Sequence, residues 1–232
     1  MLEQILKAYR EDAGNFFNNL SLTQAFYQEK IWTANPRILL DHEGQKFIPV
    51  FSSREIYEAY IASLDQEFET LELPLVYVAE VVNEQDFAGI LIDPETDQTI
   101  GFLREDLNLF LSYHSRILQS LVDEDDSLYF VPGFVGQDAS GELIRTFPYL
   151  ETPGGDRYVP VFSRLDALAN WYGAEHFGQP FRQNGGMIFP WSLEQFLHPE
   201  SGRHDWEATK GYVVDPFLEE KPEGIKHLWE ER

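Results

Sequence analysis

Few residues in this chain have a type and spacing suited to chemistry. Asp93 and Asp215 each precede proline in two matching stretches, GILIDPETD from Gly89 and GYVVDPFLE from Gly211. Two carboxylates brought together could share a proton and work as acid and base. Asp before Pro at a strand end, however, is first of all a turn former that bonds nearby backbone. Ser52 and Ser163 recur in the same paired fashion. A serine nucleophile needs a histidine base beside it, but no G-x-S-x-G elbow is present and both serines read as helix N-caps. His198, His204 and Asp205 in HPESGRHD are the metal candidates, although a histidine spacing of i, i+6 fits neither a helical nor a zinc-finger ligand pair. Asp41, His42 and Glu43 form a second polar cluster in a turn before Gly44. The paired glycines of PGGDR (153–157) and NGGM (184–187) lack the frame of a phosphate loop and read as turns. The chain has no cysteine, which removes disulfides, thiolate catalysis and cysteine metal sites together. The reading is of no catalytic residue, no metal and no cofactor.

The elements that carry these residues come in two sets. KFIPVFSSREIYEAY (46–60) has an echo in RYVPVFSRLDALANWY (157–172), with Pro49, Val50, Phe51 and Ser52 matching Pro160, Val161, Phe162 and Ser163 at an offset of 111. The Asp-Pro stretches follow in the same order at an offset of 122, so a duplication with about ten extra residues in the second copy is expected. In the first copy KFIPVF reads as a strand and Ser52 as the cap of a capping box closed by Glu55. Ile56, Tyr57, Tyr60, Ile61 and Leu64 then fall on one helical face. The second copy offers Ser163 with Asp166, then Leu165, Leu168, Ala169 and Tyr172. LVYVAEVV (75–82), FAGILIDP (87–94) and TIGFL (99–103) read as strands, as do GGMIFPW (185–191) and GYVVDP (211–216). One or two helices are expected near the N-terminus, and another over 104–124 with Glu105 and Asp106 complementing its dipole. The fold class expected is α/β (α+β): two similar units, 1–122 and 123–232, each a small mixed β-sheet flanked by helices, with the boundary near Asp123–Asp126.

Composition narrows the function. Among 232 residues there are 17 Lys and Arg against 40 Asp and Glu, a net charge of −23. Residues 1–120 hold 20 acids and 8 bases and residues 121–232 hold 20 and 9, so the acid coats both halves. Such a field repels nucleic acid and anionic membrane and attracts basic partners. No run of eighteen apolar residues suggests a membrane span, and the N-terminus lacks the pattern of a secretory signal. A cytoplasmic location is expected.

The strand ending in PVFS, the amphipathic helix after it, and the glycine–apolar–Asp-Pro strand together resemble the SseB-like family of small bacterial proteins. The resemblance covers roughly 28–103 and 127–217. The family shows Asn before the proline, where this chain has Asp93 and Asp215. The resemblance implies an α/β domain, found in tandem, with no settled enzymatic chemistry, and occurring in proteins linked to secretion and to toxin-immunity neighbourhoods.

The aromatic residues of the longer second copy are the last signal. Trp171, Tyr172, Phe177, Phe181, Trp191, Phe196 and Trp206 crowd 170–206. They either fill a core or form a protein-binding face, since Trp and Tyr anchor hot spots. The expected face is Trp171, Tyr172, Trp191 and Trp206, rimmed by Glu175, Glu194, Glu200 and Asp205. The function expected is non-catalytic protein binding, of adaptor or immunity type, in which the acidic surface captures a basic protein; a homo-oligomer is compatible with it. The competing expectation is an enzyme or small-ligand binder with a site between the two units.

Overall fold

The computed structural model describes residues 1–122, 128–206, 208–218 and 220–229. The chain falls into two compact units, Met1–Gln119 and Ser120–Arg232; the boundary expected at Asp123–Asp126 lies outside the described residues. Both units mix helix and strand, as expected of an α/β chain.

Unit 1 begins with helices α1 (Leu2–Glu11) and α2 (Phe16–Gln28). Asn15 caps α2, its side-chain oxygen accepting from the Phe17 and Asn18 amides. Strands β1 (Lys30–Asn35), β2 (Leu40–His42) and β3 (Gln45–Val50) follow, then α3 (Arg54–Ile61), β4 (Glu69–Pro74), α4 (Leu75–Glu84), β5 (Gly89–Ile92), β6 (Ile100–Leu103) and α5 (Arg104–Val122). The main sheet has the order β2-β3-β5-β6, with β3 and β5 parallel and the outer pairs antiparallel. Strand alternation sends Ile48, Val50, Ile90, Ile92, Ile100 and Phe102 to one face, where they meet Leu6, Leu22, Phe26, Leu107 and Leu111 from the helices. Each such burial is worth roughly 1.5–3 kcal/mol against exposure. A separate antiparallel pair, β1 with β4, is joined to β3 by a bridge between Trp32 and Phe51.

Unit 2 contains β7 (Leu128–Gln137), β8 (Leu143–Thr146), β9 (Leu150–Glu151), β10 (Arg157–Val161), α6 (Leu165–Gly173), α7 (Gly178–Gln183), β11 (Met187–Ser192), α8 (Leu193–Leu197), β12 (Arg203–Asp205), β13 (Gly211–Val214) and β14 (Ile225–Leu228). Its main sheet runs β9-β10-β13-β14, with β10 and β13 parallel and the outer pairs antiparallel, the same order and directions as in unit 1. Strand β7 pairs with β11 as β1 does with β4, and Phe130 bridges Phe162 as Trp32 bridges Phe51. Unit 2 adds three elements to this plan: α7, and the strands β8 and β12, which pair in parallel through Arg145 and His204.

Two glycines show how closely the plans agree. A Cβ on Gly89 would stand 2.0 Å from the carbonyl oxygen of Phe102, and one on Gly211 would stand 1.9 Å from that of His227. Both open the second parallel strand where its antiparallel neighbour presses in, a place only glycine fits.

Several local expectations are corrected. Residues 75–82 form the helix α4 rather than a strand. Their buried positions, Leu75, Val78, Ala79 and Val82, recur with helical period, and a short run apolar everywhere but Glu80 carries little period of its own to tell helix from strand. Strand β4 before it was not anticipated. Ser52 does not cap α3; the cap is Ser53, which accepts from the Ile56 amide at 3.4 Å, and no capping box forms there. Arg164, with no side-chain cap bond, precedes α6. A capping box does form at Ser192 and Gln195, at the start of α8.

Candidate functional site

The paired serines and aspartates meet each other. Asp93 is buried, and its two oxygens accept from the Ser52 amide at 2.7 Å and the Ser52 hydroxyl at 2.6 Å. Asp215 takes the Ser163 amide at 2.7 Å and the Ser163 hydroxyl at 2.5 Å, and also the Arg164 amide at 3.2 Å. Each aspartate amide donates back to the sheet, to Val50 and to Val161, which extends the parallel ladder by one bond. Both aspartates have positive φ, 50° and 48°, a conformation that Asp and Asn reach at least cost after glycine. The carboxylates therefore clasp the start of one helix to the end of a strand. With both oxygens engaged by backbone and hydroxyl donors within their own unit, neither is poised to move a substrate proton. The serines donate to carboxylates and have no histidine partner of the kind a nucleophile needs.

The metal candidates are not assembled. His198 ends α8 and is exposed. The Nδ1 of His204 lies 2.9 Å from the Phe196 carbonyl oxygen, so this nitrogen carries the proton. Asp205 follows His204 on β12 and faces the other way. Asp41 accepts from the Gly44 amide at 2.9 Å, closing the β2–β3 turn. Among the described residues no group of three or more His, Asp or Glu is placed to hold a metal ion.

Three of the four rings of the expected partner-binding face lie in the core. Trp171, Tyr172 and Trp206 are 1%, 3% and 7% exposed and cannot reach a partner. Trp171 packs on Phe162 and Phe181. Trp206 packs on Phe147, Phe196 and Trp229. These rings fill the interior around the added elements. Trp191 is different: it is half-buried, and Glu175, Glu194, Glu200 and Asp205 are exposed.

Trp191 and Glu200 line a cavity of about 130 Å³ with Arg145, Gln195, Ser201 and His204. Phe189 stacks on Trp191 at 4.4 Å with 7° between planes, and His204 lies 5.2 Å away at 23°. Arg145 places its Cζ 5.6 Å from the indole centroid and donates through Nη1 to the Ser201 carbonyl at 2.8 Å. Arg203, on the opposite face of β12, is drawn 3.8 Å from Asp138. The Asp138 carboxyl is held below the ordinary carboxylate range, chiefly by the Ser140 hydroxyl. Among the described residues Glu194, Glu200 and Asp205 make no ion pair. Sequence reasoning found Trp191 and Glu200 but missed Arg145 and Gln195. Arg145 is one arginine on an ordinary hairpin, and only the parallel β8–β12 pairing brings it to the groove.

A wider groove of about 610 Å³ lies in unit 1 and is lined by residues including Lys46, Asp86, Arg104, Glu105 and Asp106. Arg104 and Asp86 pair with each other there, so its strongest cation is already neutralised.

The site thus belongs to an α/β protein with a repeated sheet plan, two internal clasps and a small groove made by added elements in the second unit. Residues 3–108, nearly the whole of unit 1, match the family model of the SseB protein N-terminal domain. Over those residues unit 1 is similar to the SseB N-terminal domain. None of the curated proteins matches it. Among the described residues no helix is long and apolar enough to cross a membrane.

Proposed function

We infer that this is a non-catalytic protein-binding member of the SseB-like family, an adaptor or immunity-type protein that holds a basic partner on an acidic surface. Unit 2 is, on this reading, a second and lengthened copy of the family's domain. The observation that carries the reading is charge. The chain is 23 charges negative with acids in both halves, and among the described residues Lys7, Lys30, Arg54, Arg104, Arg157, Arg164, Arg203 and Lys210 are tied into ion pairs. The remaining field is strongly negative, which speeds encounter with cations and discourages anionic partners. The engagement of Ser52, Ser163, Asp93 and Asp215 in clasps supports binding over turnover.

Affinity capture from the native cell, with the bound protein identified, tests the reading. The expected result is a basic protein whose capture weakens with salt and fails when Glu175, Glu194 and Glu200 are reversed to lysine together. Recovery of no basic protein, or capture indifferent to this reversal, would count against it.

A further inference from the structure

We propose that the groove between β8, β11, α8 and β12 seats a guanidinium or ammonium side chain of the basic partner, and that Arg145 holds this seat in the free protein. This rests on the basic-partner reading and deepens it.

The first support is comparative. Unit 1 builds the same four-stranded sheet without β8 and β12, so this fold plan does not require them. Those two strands supply Arg145 and His204, and the turn before β12 supplies Glu200 and Ser201. The elements the sheet does without bring Arg145 and His204 to a groove whose other walls are β11 and α8.

The second support is chemical. The cavity has the size of a single long side chain, about 130 Å³. Its aromatic member is a half-buried indole, the best ring for a cation. Arg145 at 5.6 Å shows that a guanidinium fits beside this ring. Glu200 lines the cavity with no ion pair among the described residues, and Glu194 stands one residue from the lining Gln195.

The third support is the choice of sign. Arg145 could equally be taken as the receptor for a carboxylate. The chain's net charge of −23 opposes an anionic guest and favours a cationic one. Among the described residues Arg145 has no carboxylate partner, and it is tethered to the Ser201 carbonyl, so it can be displaced.

The two signs predict opposite effects of removing Arg145, which makes the test direct. N-acetyl-arginine amide and N-acetyl-glutamate amide are titrated into the full chain. The reporter is the indole N–H of Trp191, read by NMR and assigned with Trp191→Phe. The arginine probe is expected to move this signal saturably. Glu200→Gln should weaken binding at least fivefold, and Arg145→Ala should tighten it at least threefold. The proposal is overturned if the Trp191 signal does not move, or if all five tryptophans respond alike. It is equally overturned if Arg145→Ala weakens binding, or if the glutamate probe binds better. Capture of a basic protein equally by wild type and Glu200→Gln would sink the groove and leave the partner reading standing. Failure to capture any basic protein would sink that reading itself.

Discussion

The Asp93 carboxylate spans the Ser52 amide and hydroxyl at 2.7 and 2.6 Å, closing a contact between residues 41 apart in sequence. It joins the segment entering α3 to the end of β5, and the same join recurs between Ser163 and Asp215. Removing a buried carboxylate leaves its donors unsatisfied, which costs more than the net worth of the bonds themselves. Asp93→Ala is expected to lower stability by about 2–4 kcal/mol, and Asp215→Ala, at a less buried site, by about 1–2 kcal/mol. Urea unfolding of the two variants checks the order; equal midpoints with wild type would show that the clasps carry no stability.

Gly89 and Gly211 give a steric prediction. An alanine at either place sets its Cβ about 2 Å from a neighbouring carbonyl oxygen (2.0 Å and 1.9 Å), so the outer strand must move away. Gly89→Ala should detach β6 from β5, and Gly211→Ala should detach β14 from β13. Gly173, the last residue of α6, has nothing within 4 Å of its added Cβ. Gly173→Ala should stabilise by about 0.5–1 kcal/mol through lost chain entropy. Amide exchange in the four strands, with thermal melts of all three variants, reads these outcomes.

His114 gives a pH prediction. It is 6% exposed on α5, its Nδ1 is 2.8 Å from the Phe110 carbonyl oxygen, and burial holds its pKa below the ordinary 6.5. The unfolded chain binds this proton at the ordinary value, so below it unfolding takes up a proton that the fold excludes. The contribution of His114 is therefore complete above about pH 6.5 and declines as pH falls toward the depressed folded value. Urea midpoints measured at pH 8, 6 and 5 should fall less in His114→Gln than in wild type. Parallel declines would show that His114 is not the group responsible.

The two kinds of tryptophan should separate. Trp171, 1% exposed among Phe162 and Phe181, is structural, and Trp171→Ala should cost about 3–5 kcal/mol. Trp191 is half-buried beside the groove, and Trp191→Ala should cost about 1–2 kcal/mol while abolishing the response to the arginine probe. Denaturation and probe titration on the same two variants distinguish a core ring from a receiving one.

Much of the architecture was legible because it is written twice. The matching PVFS and Asp-Pro stretches located the strands β3, β5, β10 and β13, while their parallel pairing came from the structure. Helix α5 was legible from its period and its acidic first turn. The run 75–82 was misread because four buried positions in a stretch apolar everywhere but Glu80 leave no visible period. The serines were misread as caps because a hydroxyl before a helix is the usual cap, and the competing acceptor lies 41 and 52 residues away. The same non-local pairing hid the groove. Arg145 and His204 become neighbours only through the pairing of β8 with β12, which no local pattern announces. The aromatic crowding of 170–206 was visible, but which rings turn inward is decided by strand and helix register.

The segment joining β10 to β13 has a consequence for how such a chain can change. In unit 1 the matching segment carries α3, β4 and α4, whereas in unit 2 it also accommodates α7 and β12. The strands on either side nevertheless keep an unbroken parallel register, Val161 opposite Val214 as Val50 is opposite Ile92. A fastener at the exit of each parallel pair lets the excursion in between lengthen without disturbing its ends. New surface can then be grafted into that excursion, and the scaffold is spared the usual conflict between acquiring a feature and remaining folded.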